Sequence, residues 1–525
     1  MKKSRRSALA LVGCALAVGW LLGTPGVAIA DFLDDAENMV LVGTGEAGFP
    51  LSKLAPWPHT DGRYFYSGCY HNSSNTASPS HRGCFVVVDV KDHTQPKIVA
   101  TVESYDHITS PKPPPGHAVW TADAYNNLTI KAPCGDWVVG GPGWGGNPTC
   151  WDPGWVTRTH FTGYGIGKVL VVNTQRLSGT SPKRRGYTGI ALYDVHNPEK
   201  PKFLSRLELP VGRNPDGTYT TGIGGVHHLF YDGRYAYLGA EYEGFIEKIL
   251  VIVDLHDPRK PVEVGKWWLP GQRTPQEDGI RDWTHRPGFS NPIEYDTTTG
   301  KLKKQVGNHY ISVYGNRAYL SYHQGGLIIL DVKDKRNPNF ISRLDYLTPE
   351  FSAVDSPDHA TCNRPGQLGT YPKACGNTHS AKLVPGGGGL LWITDEYFSC
   401  PYGHLRLVDV SDEYNPRIIS HFLLPGGEST DCAATYTRRT PSSHLGNAYN
   451  NNLLFLAWYG AGVRAIDISD PYDPKQVGFF SYNMPGGGAA TYDVIFGPGG
   501  LLYVSDSVDG IRVLNYTGTG MSVKP

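Results

Sequence analysis

The chain of 525 residues carries 48 Lys and Arg against 48 Asp and Glu, a formal charge of zero with the two signs interspersed. That balance excludes the basic footprint of a nucleic-acid binder and the polybasic patch of an anionic-membrane binder. With 64 Gly, 40 Pro and few apolar runs at helical period, it reads as all-β.

The first segment, Met1 to about Ala30, reads as a signal peptide. Lys2, Lys3, Arg5 and Arg6 precede an apolar stretch from Ala8 to Leu22, and Ala28-Ile29-Ala30 supplies a small-x-small cleavage site. Ser4-Arg5-Arg6-Ser7-Ala8-Leu9 resembles a twin-arginine export signal, with Ala8 where that signal usually has Phe. A lipobox at Leu11-Val12-Gly13-Cys14 ranks below simple cleavage because it leaves the apolar region very short. The expected location is periplasmic or secreted, with no integral membrane segment after cleavage. Eight cysteines then remain, in sequential neighbours: Cys69 and Cys84, Cys134 and Cys150, Cys362 and Cys375, Cys400 and Cys432. Local disulfides are expected, and the lack of any Cys-x-x-Cys speaks against a zinc site.

Down the chain, six segments share an apolar run, an Asp, and a Pro seven positions later. They are Val86-Val87-Val88-Asp89 with Pro96, Ala191-Leu192-Tyr193-Asp194 with Pro201, and Val251-Ile252-Val253-Asp254 with Pro261. Ile328-Ile329-Leu330-Asp331 with Pro338, Arg406-Leu407-Val408-Asp409 with Pro416, and Arg464-Ala465-Ile466-Asp467 with Pro474 complete the set. The apolar run predicts a buried strand, the Asp and Pro a tight turn, and the segment after Pro an outer edge strand. Asp232-Gly233-Arg234 and Gly315-Asn316-Arg317 are hairpin turns between two more strands upstream. One unit is therefore four antiparallel strands.

A seventh copy is incomplete: Leu501-Leu502-Tyr503-Val504 and Ile511-Arg512-Val513-Leu514 lack an outer strand. Asn38-Met39-Val40-Leu41-Val42-Gly43 has the character of the missing piece. The predicted fold is a seven-bladed β-propeller over residues 31–525, its ring closed by the N-terminal strand. Six blades with a stray hairpin is the runner-up. These units resemble the LVIVD-repeat β-propellers, whose signature stands unaltered at Leu250-Val251-Ile252-Val253-Asp254. The resemblance spans about residues 38 to 516 and implies a fold rather than an activity.

Aligned on the hairpin turns, five successive units begin their inner strand at a histidine: His160, His227 with His228 beside it, His309, His379 and His444. The first unit offers Trp57 and His59, the last Tyr492. Inner strands line the channel of a propeller, so these side chains are expected at its mouth. The same face receives loops carrying His71, Glu241, Glu243, His323, Asp395 and Glu396, and the long connections at about 104–158, 271–306 and 347–377. Any one histidine is more simply a packed, hydrogen-bonded residue. Several converging with carboxylates describe a metal site. The expected ligands are His160, His227, His228, His309, His379 and His444, with Glu241 or Asp395 shuttling protons.

Imidazole ligands suit copper, iron or zinc, and copper fits an oxidising compartment best. In architecture and histidine placement the chain is also similar to the selenium-binding protein and methanethiol oxidase family and to thiocyanate dehydrogenase. That likeness implies copper-dependent oxidation of a small sulfur compound, and Tyr492, in place of a further histidine, puts a multicopper centre in doubt. The expected function is an exported metal-dependent oxidoreductase acting on a small molecule at the channel mouth, passing electrons to a periplasmic acceptor. The alternatives are a non-catalytic propeller that binds a protein or glycan through its top loops, and a four-histidine iron oxygenase. Trp120, Trp137, Trp144, Trp151 and Trp155 crowd one Gly-rich insertion, which more simply packs its own core than stacks a ligand. Lys183, Arg184 and Arg185 read as a solvated loop tip.

Overall fold

In a computed structural model, the described residues are 35–46, 51–55, 63–69, 84–103, 118–119, 129–130, 137–138, 150–151, 163–166, 168–176, 189–210, 224–245, 247–270, 272–273, 306–344, 377–396, 403–424, 442–481, 491–506 and 510–521. The expected signal peptide, most of the three long connections, Lys183 to Arg185, Trp57, His59, His71 and His160 lie outside them.

Apart from two short two-stranded sheets, Ala118–Val119 with Cys150–Trp151 and Thr129–Ile130 with Trp137–Val138, the described strands form seven antiparallel blades. Blade 4 shows the unit: inner strand Tyr310–Tyr314, then Arg317–Ser321, then the repeat strand Leu327–Asp331, then outer strand Asn339–Leu344. Blades 1, 2, 3, 5 and 6 start at Leu51–Ala55, Gly163–Ile166, Gly224–Tyr231, Thr378–Leu383 and Gly446–Ala448. Blade 7 holds Thr491–Phe496, Leu502–Asp506 and Gly510–Tyr516, and takes its outer strand from Met39–Glu46. Met39 pairs with Tyr516 and Leu41 with Leu514, so the N-terminal strand closes the ring. Asp35–Glu37 adds something the sequence did not announce, a fifth strand on the outer edge of blade 6.

The repeat motif works as local chemistry. In all six copies the Asp carboxylate accepts the backbone N–H two residues on, from Asp89 to Lys91 N at 2.9 Å through Asp467 to Ser469 N at 2.8 Å. Three residues later a second Asp or Asn repeats the same bond, as at Asp334 to Arg336 N, 2.9 Å. Two nested Asx turns with Pro behind them reverse the chain with little help from tertiary contacts.

Seven apolar clusters hold the ring, each built from two neighbouring blades. Phe85 meets Leu170, Leu192 meets Leu238, Ile252 meets Ile311 and Ile329 meets Leu391. Trp392 meets Leu454, Phe455 meets Val494 and Val513 meets Val86. The last contact joins blade 7 to blade 1, so burial as well as hydrogen bonding closes the circle. Polar side chains tie neighbouring blades together: Asn173 Nδ2, on the second strand of blade 2, donates to Val226 O, Ser312 Oγ to Ala381 O and Asn447 Nδ2 to Val494 O.

Candidate metal centre

The histidines reach the axis because each sits on a β-bulge at the mouth end of an inner strand. In blade 3 the pairing passes from Val226 opposite Ala240 to His228 opposite Gly239, which leaves His227 as the extra residue. In blade 5 it skips His379, and in blade 7 it skips Tyr492. In blade 4 the amide of His309 donates to Ser321 O, the same residue that pairs with Tyr310. In blade 6 His444 N donates to Ala457 O, and Ala457 N returns to Leu445 O. A bulge residue leaves the alternating pleat and its side chain is re-aimed. Five successive blades thus present His, His, His, His and Tyr at one rim.

The rings form a chain. Centroids lie 4.3 Å apart for His227 and His309, 4.2 Å for His309 and His379, and 4.3 Å for His379 and His444. His228 stands 4.9 Å from His309, and His323, from the next loop, 4.5 Å. At the far end Tyr459 and Tyr492 flank His444 at 4.5 and 5.6 Å. All of these side chains are buried. His309 Nδ1 lies 3.1 Å from the carbonyl oxygen of His379, and His444 Nδ1 bonds the carbonyl of Tyr492. A carbonyl only accepts, so both Nδ1 atoms carry the proton and both Nε2 atoms carry a lone pair. His227 Nε2 and His309 Nε2 face each other at 2.6 Å.

Two overlapping sets could hold an ion: His227, His228 and His309, and His309, His379 and Glu396, with donor atoms in each set within 4.8 Å of one another. The donors fit. Backbone carbonyls fix the tautomers of His309 and His444, as they do for metal-ligating histidines. Imidazole nitrogens with one carboxylate suit copper, iron or zinc.

Burial holds His309 well below the ordinary imidazole value, and His379, His227, His323 and His228 add to the effect. His323 is lowered in the same way, first by burial and then by Lys248. Burial pushes the carboxyl of Glu396 up to about 7, against the hydrogen bond from the Tyr459 hydroxyl. At neutral pH His309 and His323 are therefore uncharged imidazoles.

Two residues there accept backbone strain. His323 and Tyr459 occupy the same loop position in blades 4 and 6, with φ of 49° and 35°. This left-handed region disfavours residues other than Gly. Each pairs with the first residue of the next inner strand, His323 with Thr378 and Tyr459 with Thr491. The bridge holds the strained residue in place beside the histidines.

Of the residues expected from sequence, the structure brings together His227, His228, His309, His379 and His444. Glu241 is placed against Lys248 instead, its Oε1 3.7 Å from Lys248 Nζ, and burial pushes it too up to about 7. Asp395 is engaged elsewhere: Arg406 Nε lies 2.6 Å from its Oδ2, and Asn377 N donates to its Oδ1. Both oxygens are committed, so a proton-shuttling role does not suit it. The carboxylate at the histidines is its neighbour Glu396, with Oε2 3.7 Å from His379 Nε2. Tyr459 was overlooked in the sequence, although Trp458-Tyr459-Gly460-Ala461-Gly462 parallels Tyr322-His323-Gln324-Gly325-Gly326 and would have found it.

A family model described as the LVIVD repeat matches residues 309–346, from His309 through the outer strand of blade 4. No curated protein matches the sequence. Among solved structures the chain is similar to Sqt1 from Saccharomyces cerevisiae, at 8% identity and a TM-score of 0.44, covering 91% of this chain and 99% of that one. It is likewise similar to the Cps50 (Swd1) β-propeller domain from Myceliophteria thermophila, at 11% identity and 0.43, covering 91% and 99%. The computationally designed Ika8 protein gives 10% identity and 0.40, covering 91% and 99%. At such identities these likenesses carry nothing about activity.

Proposed function

For this LVIVD-repeat β-propeller we propose that the mouth histidines bind a redox-active transition-metal ion, copper first and iron as the alternative. On this reading the chain is an exported oxidoreductase of a small molecule, with small sulfur compounds among the candidates, that passes electrons to a periplasmic acceptor. The observation that carries the reading is the pair of Nε2 atoms at 2.6 Å, one of them bound to be a lone-pair donor by the carbonyl on its Nδ1. Two neutral imidazoles in that arrangement share at most one proton.

The bound ion would supply one-electron chemistry and polarise an oxygen or sulfur atom of the substrate. The chain's own residues do the rest. His309 and His444 are fixed in tautomer and direction by the next blade. Glu396, near 7, can hold or release a proton at neutral pH, and Tyr459 donates its hydroxyl proton toward it. The apolar clusters between blades 3 and 4 and between blades 4 and 5 exclude water from the seams of the blades that carry the rings.

The test is a titration of chelator-stripped protein with Cu(II), followed by electron paramagnetic resonance. The reading expects one tight equivalent with superhyperfine splitting from at least three nitrogens. Weak, non-stoichiometric binding without nitrogen splitting would leave the ring as packing and favour a propeller that binds partners through its loops.

A further inference from the structure

We infer that the buried ion pair of Asp395 and Arg406 is a positioning pair, its carboxylate residue fixing His379, Glu396 and His444 relative to one another. The inference rests on the proposed metal site and deepens it. Asp395 and Arg406 have side chains only 1% and 2% exposed, with Nε and Oδ2 2.6 Å apart. From this residue, bonds run to the residues that flank the donors on that side of the mouth. Glu396 follows it directly in the chain. Its Oδ1 accepts from Asn377 N at 3.0 Å, two residues before His379. Asn377 in turn brackets Glu396: its Nδ2 donates to Glu396 O at 2.7 Å, and its carbonyl accepts Glu396 N at 3.2 Å.

The other direction leads into blade 6. The carbonyl oxygen of Asp395 lies 2.9 Å from Ser443 Oγ, the residue before His444, and 3.4 Å from Ser442 Oγ. Ser443 Oγ is also 2.8 Å from His404 O, the carbonyl that takes the amide of Asp395. The packing leaves no slack: a Cβ on Gly403 would stand 1.7 Å from the Asp395 carbonyl oxygen. One residue thus references the histidine of blade 5, the histidine of blade 6 and the carboxylate between them.

A buried ion pair is seldom the most stabilising choice, because desolvation offsets its attraction and an apolar pair of like volume often does as well. Its location among the donors, rather than its contribution to stability, is what the bond pattern explains. Partners that orient metal ligands typically change affinity 10- to 100-fold when removed.

Four variants, stripped of metal and titrated with Cu(II), test this. Asp395→Asn and the apolar double replacement Asp395→Leu with Arg406→Met should bind about 10- to 100-fold more weakly than wild type, with altered nitrogen splitting. Ser443→Ala, which removes one hydroxyl, should bind about tenfold more weakly. Arg317→Met, which breaks the ion pair from Arg317 of blade 4 to Glu413 in the outer turn of blade 5, should bind as wild type does. The double replacement should melt near the wild-type temperature, which separates positioning from mere stabilisation. Wild-type affinity and spectrum in the folded double replacement would overturn the inference, and if neither Asp395 variant folds, Ser443→Ala decides by the same measure. A wild-type protein that takes up no Cu(II) overturns the metal site itself, and this inference with it.

Discussion

His227 and His309 stand Nε2 to Nε2 at 2.6 Å, from adjacent blades, while the carbonyl of His379 on a third blade claims the Nδ1 of His309. The contact is a consequence of the repeat. Each blade sets its bulge residue at the same height, so rings that are far apart in sequence become neighbours around the axis. A first prediction follows for the metal-free protein. Long-range proton–nitrogen NMR should show His309 and His444 as Nδ1–H tautomers. An Nε2–H form of His309 would contradict the assignment.

The carboxyl of Glu396 is raised from an ordinary 4.5 to about 7. The folded chain therefore holds that proton more tightly than the unfolded chain. Its contribution to stability is full below pH 4.5 and is lost as pH rises through 7. His309 acts in the opposite sense. Lowered from 6.5, it contributes fully above that pH and less as pH falls. In metal-free protein, Glu396→Gln should remove only the first effect, leaving a shallower decline in melting temperature between about pH 5 and 8. Parallel profiles for wild type and variant would refute it.

Ring closure is an energetic statement as well as a topological one. Met39 is 3% exposed and packs with Phe455 and Tyr516 in the cluster between blades 6 and 7. Met39→Ala should cost about 2–5 kcal/mol in denaturant unfolding. A loss below about 0.5 kcal/mol, the scale of an ordinary surface substitution, would mean the strand is an appendage.

Gly68 pairs with Phe85, and Cys69 and Cys84 are the next residues along the two strands. Peptide mapping under non-reducing conditions should find these two cysteines linked to each other. The other expected pairs, Cys134 with Cys150, Cys362 with Cys375 and Cys400 with Cys432, each include residues outside those described. Finding Cys69 joined to any of them would show that register does not decide the pairing.

What could be read from sequence is what is local or repeated. The Asp and Pro of each unit act within eight residues through Asx turns, so six blades were visible without any knowledge of packing. The seventh was legible because it lacked a strand that the N-terminus could supply. The Asp35–Glu37 strand was not, since Asp-Ala-Glu has no strand pattern. Its pairing depends on Asn38, held at a φ of 55° with its side chain on Val477 O. The histidines were legible as a repeated position, but the choice between Asp395 and Glu396 was not. Which of two adjacent acids faces the axis is set by the strand end and by Arg406 on the neighbouring strand, a relation of register rather than of spacing.

The central claim is that the ring of histidines holds an ion. Its most direct test is elemental analysis of protein purified without an affinity tag, beside His309→Ala and His379→Ala. The account predicts a stoichiometric transition metal in wild type and its loss in both variants, with β-rich circular dichroism and cooperative melting retained. Metal-free wild type that cannot be loaded, with variants that merely melt earlier, would contradict it.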